Sequence, residues 1–149
     1  MQFSTKVRYA LRAMMELAAD HGEDPLHLKE IARRQGISDK YLEQVMAPLR
    51  TQGLVYTRKG SRGGYTLSRS PEEISLFEVV QAVEGTLAPV SCVDHADLCE
   101  RVDVCATRDL WGRIKELVSG ELKSMSLADL VQEQEKKLLQ AHESPSWQI

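Results

Sequence analysis

The sequence predicts a mostly α-helical fold with a small β-hairpin wing, a winged helix-turn-helix followed by a long C-terminal dimerisation helix. Three observations carry this. In the first fifty residues apolar side chains recur at three- and four-residue steps in three separate stretches, which capping side chains or glycines bound. Directly after them, two short runs of strand composition flank a glycine-rich, basic tip. From Thr107 onward a longer amphipathic stretch holds more apolar surface than a small winged domain can cover.

The first helix is expected from Ser4 or Thr5, with Val7, Ala10, Leu11, Met14, Leu17 and Ala18 on its inner face and Gly22 where a C-terminal cap belongs. After Asp24-Pro25, a second helix from Leu28 to Gln35 buries Leu28, Ile31 and Ala32 and stops at Gly36. Ile37 packs in the turn, and Ser38 caps a third helix with Tyr41, Leu42, Val45, Met46 and Leu49 inward and Asp39, Lys40, Glu43 and Gln44 outward. A short helix, a glycine turn and an amphipathic helix with polar groups near its start form a helix-turn-helix. Pro48 removes one helical hydrogen bond and crowds the turn before it, so a kink or an early end is expected there. The hairpin pairs residues 54–59 with 65–68 around Gly60-Ser61-Arg62-Gly63-Gly64. Arg58, Lys59, Arg62 and Arg69 surround its tip, and a basic hairpin in this place is a wing that meets the phosphate backbone or the minor groove.

Ser75 and Glu78 then form a capping box for a helix with Leu76, Val79, Val80 and Val83 inward, ended by Gly85. A loop of about twenty residues follows, long for a compact domain unless it has a task. In the long helix Leu110, Trp111, Ile114, Leu117, Val118 and Leu122 line one side, expected to meet a second copy, the first helix of the same chain, or each at different heights. Ser126 and Asp129 open a last helix to about Leu139. The division this suggests is a DNA-binding domain over 1–70, a cysteine-loop sensor and dimerisation region over 71–141, and a frayed tail over 142–149.

At 149 residues, 42% hydrophobic and 28% charged, the chain has the composition of a soluble globular protein with room for one domain and an appendage. It contains no apolar run of membrane-crossing length, and its first residues lack a secretory pattern, so a cytoplasmic location is expected. The net charge of −3 conceals an asymmetry: residues 1–70 carry +5 and residues 71–149 carry −8. A basic half suits a polyanion such as double-stranded DNA, while the acidic half must face elsewhere. No nucleophile–base pair or phosphate-cradling loop marks an enzyme.

Cys92, Cys99 and Cys105, the three cysteines of the chain, all lie in the loop together with His95 and several carboxylates. Three thiols on one polar loop suit a soft metal centre, either iron-sulfur or zinc, and they also suit a thiol–disulfide switch.

Several stretches together resemble the IscR-type iron-sulfur cluster regulators: Ser4-Thr5-Lys6 with Arg8-Tyr9-Ala10, Ile37-Ser38 with Tyr41-Leu42-Glu43-Gln44, Gly53-Leu54-Val55, Gly63-Gly64-Tyr65 and the three-cysteine loop. The resemblance runs from the first residues to about residue 140. It implies a bacterial homodimeric repressor with antiparallel long helices at its interface and an iron-sulfur cluster on the cysteine loop that changes operator affinity. By the same likeness Glu43 discriminates operator types, Lys59 and Arg62 act from the wing, and control by a metabolic enzyme partner is a further option. The chain departs from the pattern at the fourth ligand. Arg108 stands where IscR has a histidine, and Arg8 where nitric-oxide-sensing relatives have an aspartate. His95 is the first choice among loop side chains able to ligate, with Asp94, Asp97 and Asp103 behind it, and both 2Fe-2S and 4Fe-4S types are consistent with such a set. The DNA-reading set is Ser38, Lys40, Tyr41, Glu43, Gln44, Arg58, Lys59 and Arg62.

Overall fold

The computed structural model of the chain describes residues 1–20 and 24–143. Helix α1, Thr5–Ala19, opens at Ser4, whose hydroxyl accepts from the Val7 amide, and closes at Asp20, whose N–H donates to the Glu16 carbonyl. The expected Gly22 cap lies outside the described residues. Helix α2, Leu28–Gln35, ends at Gly36 in the left-handed region (φ 63°), where glycine carries no Cβ penalty. Helix α3, Asp39–Thr51, starts at Ser38, whose Oγ accepts from the Tyr41 amide at 3.1 Å.

Pro48 neither ends nor breaks α3, contrary to the expectation from its missing N–H. Val45, Met46 and Leu49, on either side of it, are completely buried, and their packing outweighs one lost backbone bond.

Strands β1 (Val55–Arg58) and β2 (Gly64–Leu67) pair antiparallel with Val55 opposite Leu67 and Arg58 opposite Gly64. The hairpin is also stitched to the approach of α2: Leu26 and Tyr65 exchange two backbone hydrogen bonds of 2.9 Å. A Cβ on Gly64 would sit 2.4 Å from the Leu26 carbonyl oxygen, so this approach requires glycine.

A short 3-10 turn, Pro71–Glu73, leads into α4, Leu76–Glu84, whose capping box joins Ser75 and Glu78 as the sequence predicts. Three further 3-10 turns occupy the cysteine loop before α5, Ala106–Ser124, and α6, Leu127–Glu143. Residues 142 and 143 of the expected tail belong to α6, and 144–149 lie outside the described residues.

The core does not stop at residue 70. Met14, Ile31, Leu42, Val45, Met46 and Leu49 share one cluster with Ile74, Leu76 and Val79 and with Leu127 at the start of α6. Val7, Val80 and Leu87 form a smaller cluster beside it. The apolar stripe of α5 divides along its length. Leu122 packs against both clusters, whereas Leu110 and Leu117 are 41% and 74% exposed. No helix among the described residues is long and apolar enough to cross a membrane.

Candidate nucleic-acid interface and cysteine loop

The outer face of α3 presents Lys40, Glu43 and Gln44 to solvent, and Arg58, Lys59 and Arg62 are exposed on the wing. Among the described residues these six side chains form no hydrogen bond or ion pair. Some other cations of the same half are engaged internally. Arg33 and Arg34 both bind Glu30 at 2.8 Å, and those guanidiniums, Arg33 foremost, hold its carboxyl down to about 2. Arg34 also reaches Glu16 and Asp20. Cations without carboxylate partners are the ones available to phosphates, and Lys40 on the outer face of α3 and Arg58, Lys59 and Arg62 on the wing are among them.

One sequence expectation changes at this face. Arg69, expected at the wing tip, turns back to Glu78 at 2.6 Å and is engaged with α4. Ser38 is exposed, and its hydroxyl caps α3 as the sequence predicts. Tyr41 is half-buried and meets the Tyr9 ring of α1 edge-on at 5.7 Å, while Arg8 and Arg12 lie over that ring at 5.9 and 5.5 Å. This basic and aromatic flank next to the start of α3 escapes helical periodicity, because the two arginines count there merely as solvent-facing positions. Tyr65 and Arg50 also belong to the neighbourhood. Burial pushes the Tyr65 phenol upward, Arg50 of α3 opposes this and Glu43 of α3 adds to it, so Tyr65 of β2 lies within electrostatic reach of both.

In the loop, each cysteine falls within or at the end of a separate turn. Cys92 lies inside Ser91–Val93, Cys99 follows Ala96–Leu98, and Cys105 follows Val102–Val104 and precedes α5. All three are free thiols and half-buried. His95 is exposed at the start of the second turn. Among the described residues no three His, Cys, Asp or Glu side chains are grouped closely enough to hold a metal ion, so Cys92, Cys99, Cys105 and His95 are brought onto one loop but not to one point. The separate turns explain this, since each fixes its own cysteine locally.

The donor set nevertheless suits a thiophilic centre in kind. Cys105 lies at the N-terminus of α5, where the Thr107 hydroxyl at 3.2 Å and the Arg108 backbone N–H hold its thiol below the ordinary range and favour the ligating thiolate. Arg108 itself donates from Nε to the Cys92 carbonyl at 2.8 Å and braces the loop. Asp94 is engaged with Lys115 and Thr86, Lys115 being the main reason that its carboxyl sits below the usual range.

Residues 3–133 match the family model of Rrf2, described as an iron-dependent transcriptional regulator. The chain belongs to the Rrf2 family. Protein rrf2 of Nitratidesulfovibrio vulgaris is 38% identical over 133 residues, 89% of each chain. CymR of B. subtilis, whose structure is described as that of the global cysteine regulator, superposes with a TM-score of 0.74 at 40% identity, covering 89% of this chain and 98% of that one. T. potens IscR superposes with the same TM-score, 0.74, at 36% identity, covering 92% and 90%. The resemblance to IscR-type regulators therefore holds, and the winged helix-turn-helix is the fold of this Rrf2 protein. As a member of a regulator family, it is a DNA-binding transcriptional regulator, and its relatives are named as regulators rather than enzymes.

Proposed function

We propose that this Rrf2 regulator reads its operator as a homodimer and that an iron-sulfur cluster held by Cys92, Cys99 and Cys105 controls the binding. The observation that carries the control is the placing of all three cysteines, half-buried and unpaired, on one loop of a fold shared with IscR. When bound, a cluster supplies a centre that iron shortage, oxygen or nitric oxide removes. Protein ligation rests on the three thiols, and His95 is the candidate for a fourth position.

The reading is done by residues of this chain. Lys40, Tyr41 and Gln44 face the base edges and phosphates of a major groove from the N-terminal half of α3, with Glu43 rejecting sequences that offer it no hydrogen-bond donor. Ser38 fixes where α3 begins, and Arg58, Lys59 and Arg62 hold flanking phosphates from the wing. The second copy docks along α5, where Leu110 and Leu117 are exposed and Gly112 and Gly120 have open space at the Cβ position.

Absorbance between about 400 and 460 nm in anaerobically purified protein, with matching iron and acid-labile sulfide, is the expected result for cysteine-ligated clusters. A colourless protein that resists reconstitution overturns the cluster. A second reading has its own support, because CymR is as near in fold as IscR and the three thiols stand apart. In it, two of the cysteines lose two protons and two electrons to a peroxide and form a disulfide. An iron-free protein with a reversible, peroxide-dependent disulfide selects that reading.

A further inference from the structure

Asp94 lies between Cys92 and His95, and both of its carboxylate oxygens are engaged. Oδ1 accepts from Lys115 Nζ at 2.7 Å, and Oδ2 accepts from the Thr86 hydroxyl. Thr86 directly follows Gly85, the residue that ends α4, and Lys115 lies midway along α5. The ion pair is partly shielded, with side-chain exposures of 21% for Asp94 and 30% for Lys115. Arg108 adds a third fastening through the Cys92 carbonyl. The first arm of the loop is thus tied to both neighbouring helices. At the other end, Cys105 is held where α5 begins. Between these ends residues 96–104, which carry Cys99, form no side-chain hydrogen bond or ion pair.

We infer that Asp94 is a positioning residue and not a ligand of the loop. It straps the Cys92 arm to Thr86 and Lys115, so that Cys92 and Cys105 stand anchored while Cys99 rides on the segment that closes toward them. The loop then needs one moving arm instead of three to gather its thiols, which lowers the conformational entropy lost on closure. Arg108 contributes to the same bracing from the position where the IscR pattern has a ligating histidine. This inference rests on the cysteines being the sensing groups.

The test uses the full-length, reduced, metal-free protein and N-ethylmaleimide, with labelling of each cysteine followed by peptide mass spectrometry. In the unaltered chain Cys92 labels more slowly than Cys99. Asp94→Asn and Lys115→Met each raise the Cys92 rate by about fivefold, the scale of losing one partly shielded ion pair, while circular dichroism stays unchanged. The exchanged pair, Asp94→Lys with Lys115→Asp, restores slow labelling of Cys92, which a general loosening of the loop would not do. An unchanged Cys92 rate in both single variants, or an exchanged pair as fast as they are, overturns the strap. Iron incorporation is measured on the same proteins. Loss of iron from the exchanged pair despite restored Cys92 protection makes Asp94 a ligand and overturns the inference; retained iron supports it. A colourless unaltered protein whose Asp94→Asn form exposes Cys92 retires the cluster and keeps the strap.

Discussion

In α3 the apolar residues Leu42, Val45, Met46 and Leu49 are completely covered, whereas in α5, a longer helix, Ser119 is the one buried residue. The two helices have comparable amphipathic patterns, yet one is finished by its own chain and the other is not. The difference separates two uses of the same pattern. The buried inner face of α3 fixes the orientation of its outer face, which is what the proposed DNA reading needs, while on α5 Leu110 and Leu117 are left exposed. The cysteine loop shares the character of α5. Its groups are held by a few polar fastenings at the ends instead of by a core.

The comparison breaks most visibly under truncation. Leu42→Ala removes a fully buried side chain and is expected to cost about 2–5 kcal/mol in urea unfolding. Leu117→Ala is expected to cost less than about 0.5 kcal/mol in the isolated protomer, while Leu117→Lys shifts sedimentation from dimer to monomer. Equal, concentration-independent losses for Leu42→Ala and Leu117→Ala would show that α5 is finished within one chain. Next in size, Gly64→Ala drives a Cβ against the Leu26 carbonyl and should cost roughly 2 kcal/mol and displace the wing. Unfolding and operator binding both report it, and full affinity in that variant would detach the wing from DNA binding.

A smaller effect sharpens the distinction between available and engaged cations. Arg62→Ala should weaken binding across sequences and reduce the slope of log affinity against log salt by about 1. Arg69→Ala should leave that slope unchanged, because its guanidinium already faces Glu78. Reversal of the two would relocate the phosphate contacts to the base of the hairpin.

The smallest effect is the acid response of the α4 cap. Burial pushes the Glu78 carboxyl up, but Arg69 and Ser75 together outweigh it and hold the group below its ordinary range. A carboxyl depressed in the folded state adds stability that is present above its unfolded pKa and is lost as pH falls toward the folded value. Glu78→Gln should therefore be less stable at neutral pH and less sensitive to acid, and parallel acid limbs in thermal melts would remove Glu78 from the balance.

The helix starts were legible in the sequence because caps are local: Ser4, Ser38, Ser75 and Ser126 each satisfy amides within three residues. The inner stripes of α1 to α4 and the glycine-rich wing tip were legible for the same reason, as was the gathering of the three cysteines on one loop. Pro48 misleads because the gain that carries α3 past it comes from neighbours distant in sequence, which a helix-breaking rule cannot weigh.

The sequence by itself determined the order and starts of the helices, the wing, the basic character of the first half and the presence of a thiol loop, since each depends on side chains a few positions apart. The tertiary structure alone decided which charges are engaged and which are available. Arg69 meets Glu78, Arg34 meets Glu16, and Asp94 joins Lys115 and Thr86. It also decided that Leu26 stitches the wing to α2 and that Leu122 is covered while Leu117 is not. A charge or an apolar side chain acquires its role from what stands across from it, and packing between elements far apart in the chain sets that partner.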